Sequence, residues 1–222
     1  MIIIGIDPSL NSTAISIYKN GIFSVYNYTN KDPKYKWIKE VQEHVNFKFH
    51  EYNDETDSFS ESETEKIRVY DIVTDKIFND IKQISDQQTE VFIEGYSYSS
   101  AQGRLIDLVT FSTLLRIKLV KHGINLNVIP PSTLKKTIAE QVYPIDKKGI
   151  ARDENNKAGG GFDKKDMMKC LIQLDINCDY IDYLKTNKDI LLKPKSLAKP
   201  FDDCNDSLLL CYYGIINFKS LI

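Results

Sequence analysis

Apolar residues fall along this chain with different periods, and each period predicts an element. The first run is unbroken, Ile2-Ile3-Ile4-Gly5-Ile6, and a run without alternation predicts a central strand buried on both faces. It ends on a carboxylate, Asp7. A turn signal follows (Pro8, Ser9, Asn11), then a second strand from Thr13 to Tyr18. Asn20-Gly21 comes next and signals a tight hairpin, because both central positions of a type I′ turn need φ > 0. The third strand is Ile22 to Tyr28. Val45, Phe47 and Phe49 alternate with polar residues, a pattern compatible with one more edge strand. From Ser62 or Thr64 the period becomes helical, with Tyr70, Val73, Ile77, Ile81 and Ile84 on one face.

The second half repeats the theme. VFIEG, within Thr89 to Gly95, is a short apolar strand that again ends on a carboxylate, Glu94. A long apolar helix is predicted from Ser100 to Lys121, stopped by Gly123. A strand from Asn125 to Ile129 ends at Pro130-Pro131, and a helix follows with Ser132 as its cap. Further helices are predicted from about Asp163 to Leu174 and from about Asp202 to Phe218. The order β-β-β-α-β-α-β-α predicts an α/β fold. Its sheet is mixed and five-stranded, three antiparallel strands then two parallel ones, with helices on both faces and right-handed crossovers. Residues 1–222 read as one domain. The acidic, serine-rich part from Asp54 to Glu65 reads as an exposed loop. Residues 143–162, with Gly159-Gly160-Gly161, read as a flexible flap that lacks the G-K-[ST] of a phosphate loop.

Composition changes this picture little. The formal charge is -2, but acids crowd residues 51–65 and lysines crowd residues 135–199, and a local basic patch is what phosphate feels. Lys147-Lys148 and the lysines from Lys185 to Lys199 read as solvated surface. The start of the chain lacks a signal-peptide pattern and no apolar run has the length of a membrane span. The expectation is therefore a cytoplasmic, nucleoid or replication-compartment protein, not secreted and without a membrane partner. Cys170, Cys178, Cys204 and Cys211 form no C-x-x-C pair and read as free thiols.

The chemistry lies in the acids. Two strands end in Asp7 and Glu94, and the last helix opens with Asp202, Asp203 and Asp206 in FDDCNDSLLL. Asp203 and Asp206 share a helix face, and so do Asp202 and Asp206. Taken singly, each acid is explained as a turn former or a helix cap. Their joint placement at strand ends and a helix start points instead to convergence. Several carboxylates in one place repel and call for a cation, and an all-oxygen set selects Mg²⁺ or Mn²⁺. Two such ions, on the order of 4 Å apart, form the clamp used for displacement at phosphorus.

GIDPSLNSTA, FIEGYS, PSTLKK, FDKKD and DDCNDSLLL, in that order, resemble the motifs of RuvC-type Holliday junction resolvases in the RNase H-like superfamily. The resemblance runs over most of the chain, with insertions at about residues 30–64 and 175–200. The first motif alone also resembles the phosphate-binding turn of sugar kinases and actin-like ATPases. The family resemblance implies metal-binding, catalytic roles for Asp7, Glu94, Asp203 and Asp206, with two Mg²⁺ ions per site. The choice between Asp202 and Asp203 stays open. It further implies that Lys135 and Lys164 lie near the scissile phosphate, with Lys136 and Lys165 beside them as DNA contacts. The aromatic that the family carries three positions after its glutamate is Ser97 here, which leaves Tyr96 and Tyr98 as candidates to stack on a base.

The expected function is metal-dependent, structure-selective DNA cleavage, resolving four-way junctions by paired symmetric hydrolysis. A junction has two-fold symmetry and two cuts need two sites, so the expected partners are branched DNA and a second copy of the chain. The alternatives are a broader flap or branch nuclease, a non-cleaving junction-binding module and an ATP-handling relative. The last needs a second glycine-rich phosphate loop in the C-terminal half, and the sequence has none.

Overall fold

The apolar run at the start of the chain becomes the centre of a six-stranded sheet. The computed structural model describes residues 1–51, 58–96 and 102–219. Its strands are β1 (Ile2–Asp7), β2 (Ser12–Lys19), β3 (Ile22–Thr29), β4 (Asn46–Phe49), β5 (Thr89–Glu94) and β6 (Asn125–Ile129). The helices are α1 (Lys36–Val41), α2 (Phe59–Ile84), α3 (Gln102–Lys121), α4 (Pro131–Val142), α5 (Lys164–Leu171), α6 (Asp179–Leu192) and α7 (Phe201–Lys219). The sheet order is β4-β3-β2-β1-β5-β6. β1, β2 and β3 form the antiparallel meander, and β5 and β6 add in parallel beside β1. Asn20 and Gly21 both take positive φ, 53° and 84°, as the hairpin signal requires.

The expected five strands become six because Asn46–Phe49 pairs in parallel with β3, with α1 as the crossover. The alternating Val45, Phe47 and Phe49 supply the half-buried edge that this position allows. Three other boundaries move. α2 begins at Phe59, capped by the Ser58 side chain, so the acids Glu61, Glu63 and Glu65 lie on a helix and not in a loop. α4 starts at Pro131 rather than Ser132, using the ring's fixed φ in the first helical position. The lysine-rich part at 175–200 is not simply polar. It folds α6, which buries Tyr180, Ile181, Leu184 and Leu191. Residues 143–162 form two bridged turns, Ile145 with Ala151 and Arg152 with Ala158, closed on α4 by Gly159.

β1 is buried on both sides, as its composition demands. Ile2, Ile4 and Ile6 face α2 and α3, together with Val91 and Ile93. Ile3, with Phe92, faces α7. Gly5 lies on that second side, and its lack of a side chain lets the backbone of α7 touch the strand. A Cβ there would stand 2.1 Å from the Ser207 carbonyl oxygen and 2.4 Å from the Cys211 nitrogen. Small polar groups complete the contact. Ser16 and Ser207 share a hydrogen bond of 2.8 Å, and Asn27 bonds Ser12 at 3.1 Å and the Cys204 sulfur at 3.7 Å. The four cysteines are free and buried. Among the described residues no helix is long and apolar enough to cross a membrane.

Side chains from the segments read above as insertions meet at the start of α7. The Trp37 ring stands edge-on to Phe201 at 5.6 Å, Tyr183 stacks on Phe201 at 6.1 Å, and His44 lies 5.1 Å from Tyr183. The Tyr180 hydroxyl donates to Asn205 Oδ1 at 2.9 Å. The first turn of α7, which carries the acids, is thereby fixed from outside the sheet.

Candidate active site

Register and periodicity bring the carboxylates to one place. β1 and β5 run parallel with Ile6 opposite Ile93, so Asp7 and Glu94 leave the sheet side by side at its carboxyl end. Alternation puts both on the side of Ile3, Gly5 and Phe92, which is the α7 side. On α7, Ser207 lies against Gly5. Four residues back along the helix is about 6 Å, close to the rise of two strand residues. Asp203, four residues before Ser207, therefore falls over Asp7, and Asp206 shares its face. Asp7, Asp203 and Asp206 are buried and Glu94 is half-buried. Glu94 and Asp7 are close enough for each to act on the other's charge.

This crowding shifts the acids. Burial, then the nearby Glu94, raises the Asp7 pKa to about 7 despite Lys164 and Lys199. Burial raises Asp203 to about 7 as well, with Lys199 opposing and Asp7 and Asp202 adding to the rise. Burial also raises Glu94, against Lys164 and Lys135. Asp202 acts on both Asp7 and Asp203 from the rim of the cluster.

Of the lysines named from the sequence, Lys164 enters the site and its ammonium holds Asp206. It is the first residue of α5, whose start is fixed by a capping box between Asp163 and Asp166. Lys135, on α4, is half-buried and bears on Glu94. Two others are not brought in. Lys165 donates to the Leu192 carbonyl at 2.7 Å, and Lys136 pairs with Glu140 at 3.8 Å on the surface. The Tyr96 hydroxyl bonds Thr113 at 3.1 Å, and the Arg116 guanidinium covers its ring at 4.5 Å. Tyr98 and Ser97 lie outside the described residues.

Two residues of the site escaped the sequence reading. Arg116 donates to the Glu94 carbonyl at 2.9 Å and so steadies the end of β5. Lys199 holds Asp203 and lies 3.2 Å from Asp202. The i, i+3 and i, i+4 spacing to these acids was its one signal, hidden inside a lysine-rich stretch.

As the side chains stand, no group of three or more His, Cys, Asp or Glu among the described residues is arranged to hold a metal ion. Asp203 and Asp206 are each turned to a lysine instead. The donor set nonetheless fits a hard divalent cation. All its ligating atoms are oxygens, Asp203 Oδ2 and Asp202 Oδ1 are buried without a hydrogen-bond partner, and burial pushes the Asp7 and Asp203 carboxyls up to about 7 in spite of the lysines beside them.

A pH dependence follows for the metal-free protein. A carboxyl whose folded pKa is raised stabilises the fold below its unfolded value, about 4, and loses that contribution as pH climbs through the folded value. For Asp7 and Asp203 the window ends at about 7. Thermal melting in chelator is expected to show a lower Tm at pH 8 than at pH 5.5. Mg²⁺ is expected to restore Tm at pH 8 and to change little at pH 5.5.

No protein-family model matches the sequence, and no curated protein matches it. Among solved structures the chain is similar to the yeast mitochondrial Holliday junction resolvase Ydc2, with 10% identity and a TM-score of 0.52 over 94% of this chain and 75% of that one. RuvC of Thermus thermophilus is 11% identical over 98% of this chain and 97% of its own, with a TM-score of 0.48. The mixed sheet with helices on both faces is the fold of a RuvC-type resolvase.

Proposed function

We propose that this chain is a metal-dependent, structure-selective DNA endonuclease that resolves four-way junctions by paired symmetric hydrolysis. The observation that carries the reading is the convergence of Asp7, Glu94, Asp203 and Asp206 at one end of the sheet, on a fold shared with a junction resolvase. These four residues would hold two Mg²⁺ ions, with Asp202 at the rim. The chemistry such ions supply when bound is activation of water and stabilisation of the leaving 3′ oxygen. The chain's own part is to fix the acids through β1, β5 and α7, and to bring Lys164 and Lys135 toward the phosphate as point charges. That chemistry needs no covalent nucleophile, so direct attack by water is the simplest course.

The test is to incubate the protein with labelled four-way junction, flap and linear duplex, in Mg²⁺ and in chelator. Paired symmetric nicks in the junction alone, lost in chelator, are expected. Cutting of flaps and duplex as well would replace the reading by a broader nuclease. Tight junction binding without cleavage would replace it by a binding module.

The reading includes a homodimer. On α3, Ile106, Thr110, Thr113, Ile117 and Val120 follow one another at spacings of four, three, four and three. That is the seam of a helix-to-helix contact. Ile106, Thr113, Ile117 and Val120 are exposed, and Thr110 is half-buried. Phe111, Leu115 and Leu119 on the opposite side anchor α3 to the core. Ile117→Glu is expected to leave the fold intact, to halve the mass in light scattering and to uncouple the two nicks of a junction.

A further inference from the structure

Lys199 comes from outside the motifs that frame the site, yet its ammonium touches two of the site's acids. It holds Oδ1 of Asp203 and lies 3.2 Å from Oδ2 of Asp202. The other oxygen of each carboxylate, Asp203 Oδ2 and Asp202 Oδ1, is buried and has no hydrogen-bond partner. One unit of charge is thus divided between two aspartates and leaves half of their oxygens unmet. The Asp203 side chain is 3% exposed, whereas that of Lys199 is 38% exposed. The lysine therefore reaches in from solvent and covers the carboxylate from above. Lys164 does the same to Asp206, with exposures of 48% and 7%.

We propose that Lys199 is a tethered counter-ion of the carboxylate site, occupying Asp203 until a divalent cation displaces its ammonium to solvent. The proposal deepens the metal-dependent reading above and rests on it. The physical case is one of competition. A carboxylate as buried as Asp203 is costly without a partner, so something positive must stand against it in the metal-free chain. Lysine is suited to the task because its compact charge sits on a flexible four-carbon stem, which leaves without moving the backbone. Residues 193–200 carry Lys199 outside any helix, so its withdrawal leaves α6 and α7 in place. A divalent ion then serves the orphaned oxygens that a single ammonium cannot.

Competition has a sign that a merely structural lysine does not share. Lys199→Met keeps the length of the stem and removes the charge. Metal-free, the variant is expected to melt at lower temperature, because Asp203 loses its partner. In calorimetry with Mn²⁺ alone, without DNA, it is expected to bind the ion about tenfold more tightly, about 1.4 kcal/mol. Lys199→Arg keeps the charge and is expected to stay near the original affinity. Unchanged or weaker Mn²⁺ binding by Lys199→Met would overturn the counter-ion role. Absence of Mn²⁺ binding by the original chain would remove the metal reading itself, and the proposal with it.

Lys199→Met needs a folded protein, so a second measurement uses the original chain. Its lysines are ¹³C-dimethylated and the Lys199 signal is assigned by its loss in Lys199→Arg. Saturating Mg²⁺ is expected to move that signal toward the position of a solvated lysine. A signal that stays in place while Mg²⁺ binds would overturn the proposal.

Discussion

Asp7→Asn is expected to lower junction cleavage by about 10³-fold or more, the scale on which a preorganised charge at a reacting centre is worth losing. The same substitution is expected to raise the Tm of the metal-free protein at pH 8 and to leave junction binding near its original strength. The two effects have one cause. Asp7 is buried beside Glu94 and within the field of Asp202, and its pKa of about 7 records how badly its charge is accommodated. Asparagine has the same shape and no charge, so the cluster loses a repulsion that only a cation relieves. Sites built for chemistry store this kind of instability, and removing it trades activity for stability. The measurements are nicking of a labelled junction in Mg²⁺, gel shift in chelator and thermal melting. An unfolded variant that no longer binds would make Asp7 structural. Undiminished cleavage would take it out of the reaction.

The carboxylates were legible in the sequence because strand geometry is local. A short, unbroken, isoleucine-rich run reads as a strand covered on both faces, and an acid at its end then emerges at the rim of the sheet. Asp7 and Glu94 both obey this rule, and parallel register then sets them side by side. The hairpin at Asn20-Gly21 was legible for the same reason, as two adjacent positive φ angles have few other sequences. Asp203 and Asp206 needed one more step: Leu208-Leu209-Leu210 showed that the last helix is buried, but its direction over β1 is set by the contact of Ser207 and Cys211 with Gly5.

What was not legible depends on contacts between distant segments. Charged and polar residues hold half of α6, and its buried Tyr180, Ile181, Leu184 and Leu191, although at helical spacing, lie in a stretch whose lysines read as solvated. Its place is set by long-range packing, with Tyr180, Ile181 and Leu184 in the core beside α7 and Tyr183 stacked on Phe201, which Trp37 also meets. Phe47 and Phe49 hinted at a sixth strand, but its partner β3 is reached only through α1. Lys199 was hidden because a lysine-rich stretch reads as solvent-facing, and its ammonium turns inward only once α7 has set Asp202 and Asp203 in place. Arg116 was hidden because its partner is a backbone carbonyl, that of Glu94, which no side-chain pattern reveals.

The largest expected effect on the fold comes from a single methyl group. Gly5→Ala places a Cβ 2.1 Å from the Ser207 oxygen and 2.4 Å from the Cys211 nitrogen, where contacts of about 3.5 Å are comfortable. Both neighbours are backbone atoms of α7, so no side chain can turn aside. The helix would have to lift by about 1 Å, yet Ser207 is tied to Ser16 and Cys204 to Asn27. A loss of about 3 kcal/mol or more is expected in urea unfolding, a large part of the stability of an ordinary domain. Gly214→Ala is the control at the other end of α7. Its Cβ meets side chains only, the Phe92 ring at 2.5 Å and Ile3 Cγ2 at 2.7 Å. Phe92 and Ile3 are themselves buried and must shift, but they do so without lifting the helix, and alanine in a helix regains up to about 1 kcal/mol over glycine, so a smaller loss is expected. The site separates the two further. Lifting α7 at Gly5 carries Asp203 and Asp206 away from Asp7 and Glu94, and a displacement of about 1 Å costs about 10²-fold in rate. Gly5→Ala protein that still folds is therefore expected to bind junction and cleave it about 10²-fold more slowly, while Gly214→Ala cleaves nearly as before. Equal cleavage by both variants would mean that the approach of α7 to β1 does not set the distance between the acids.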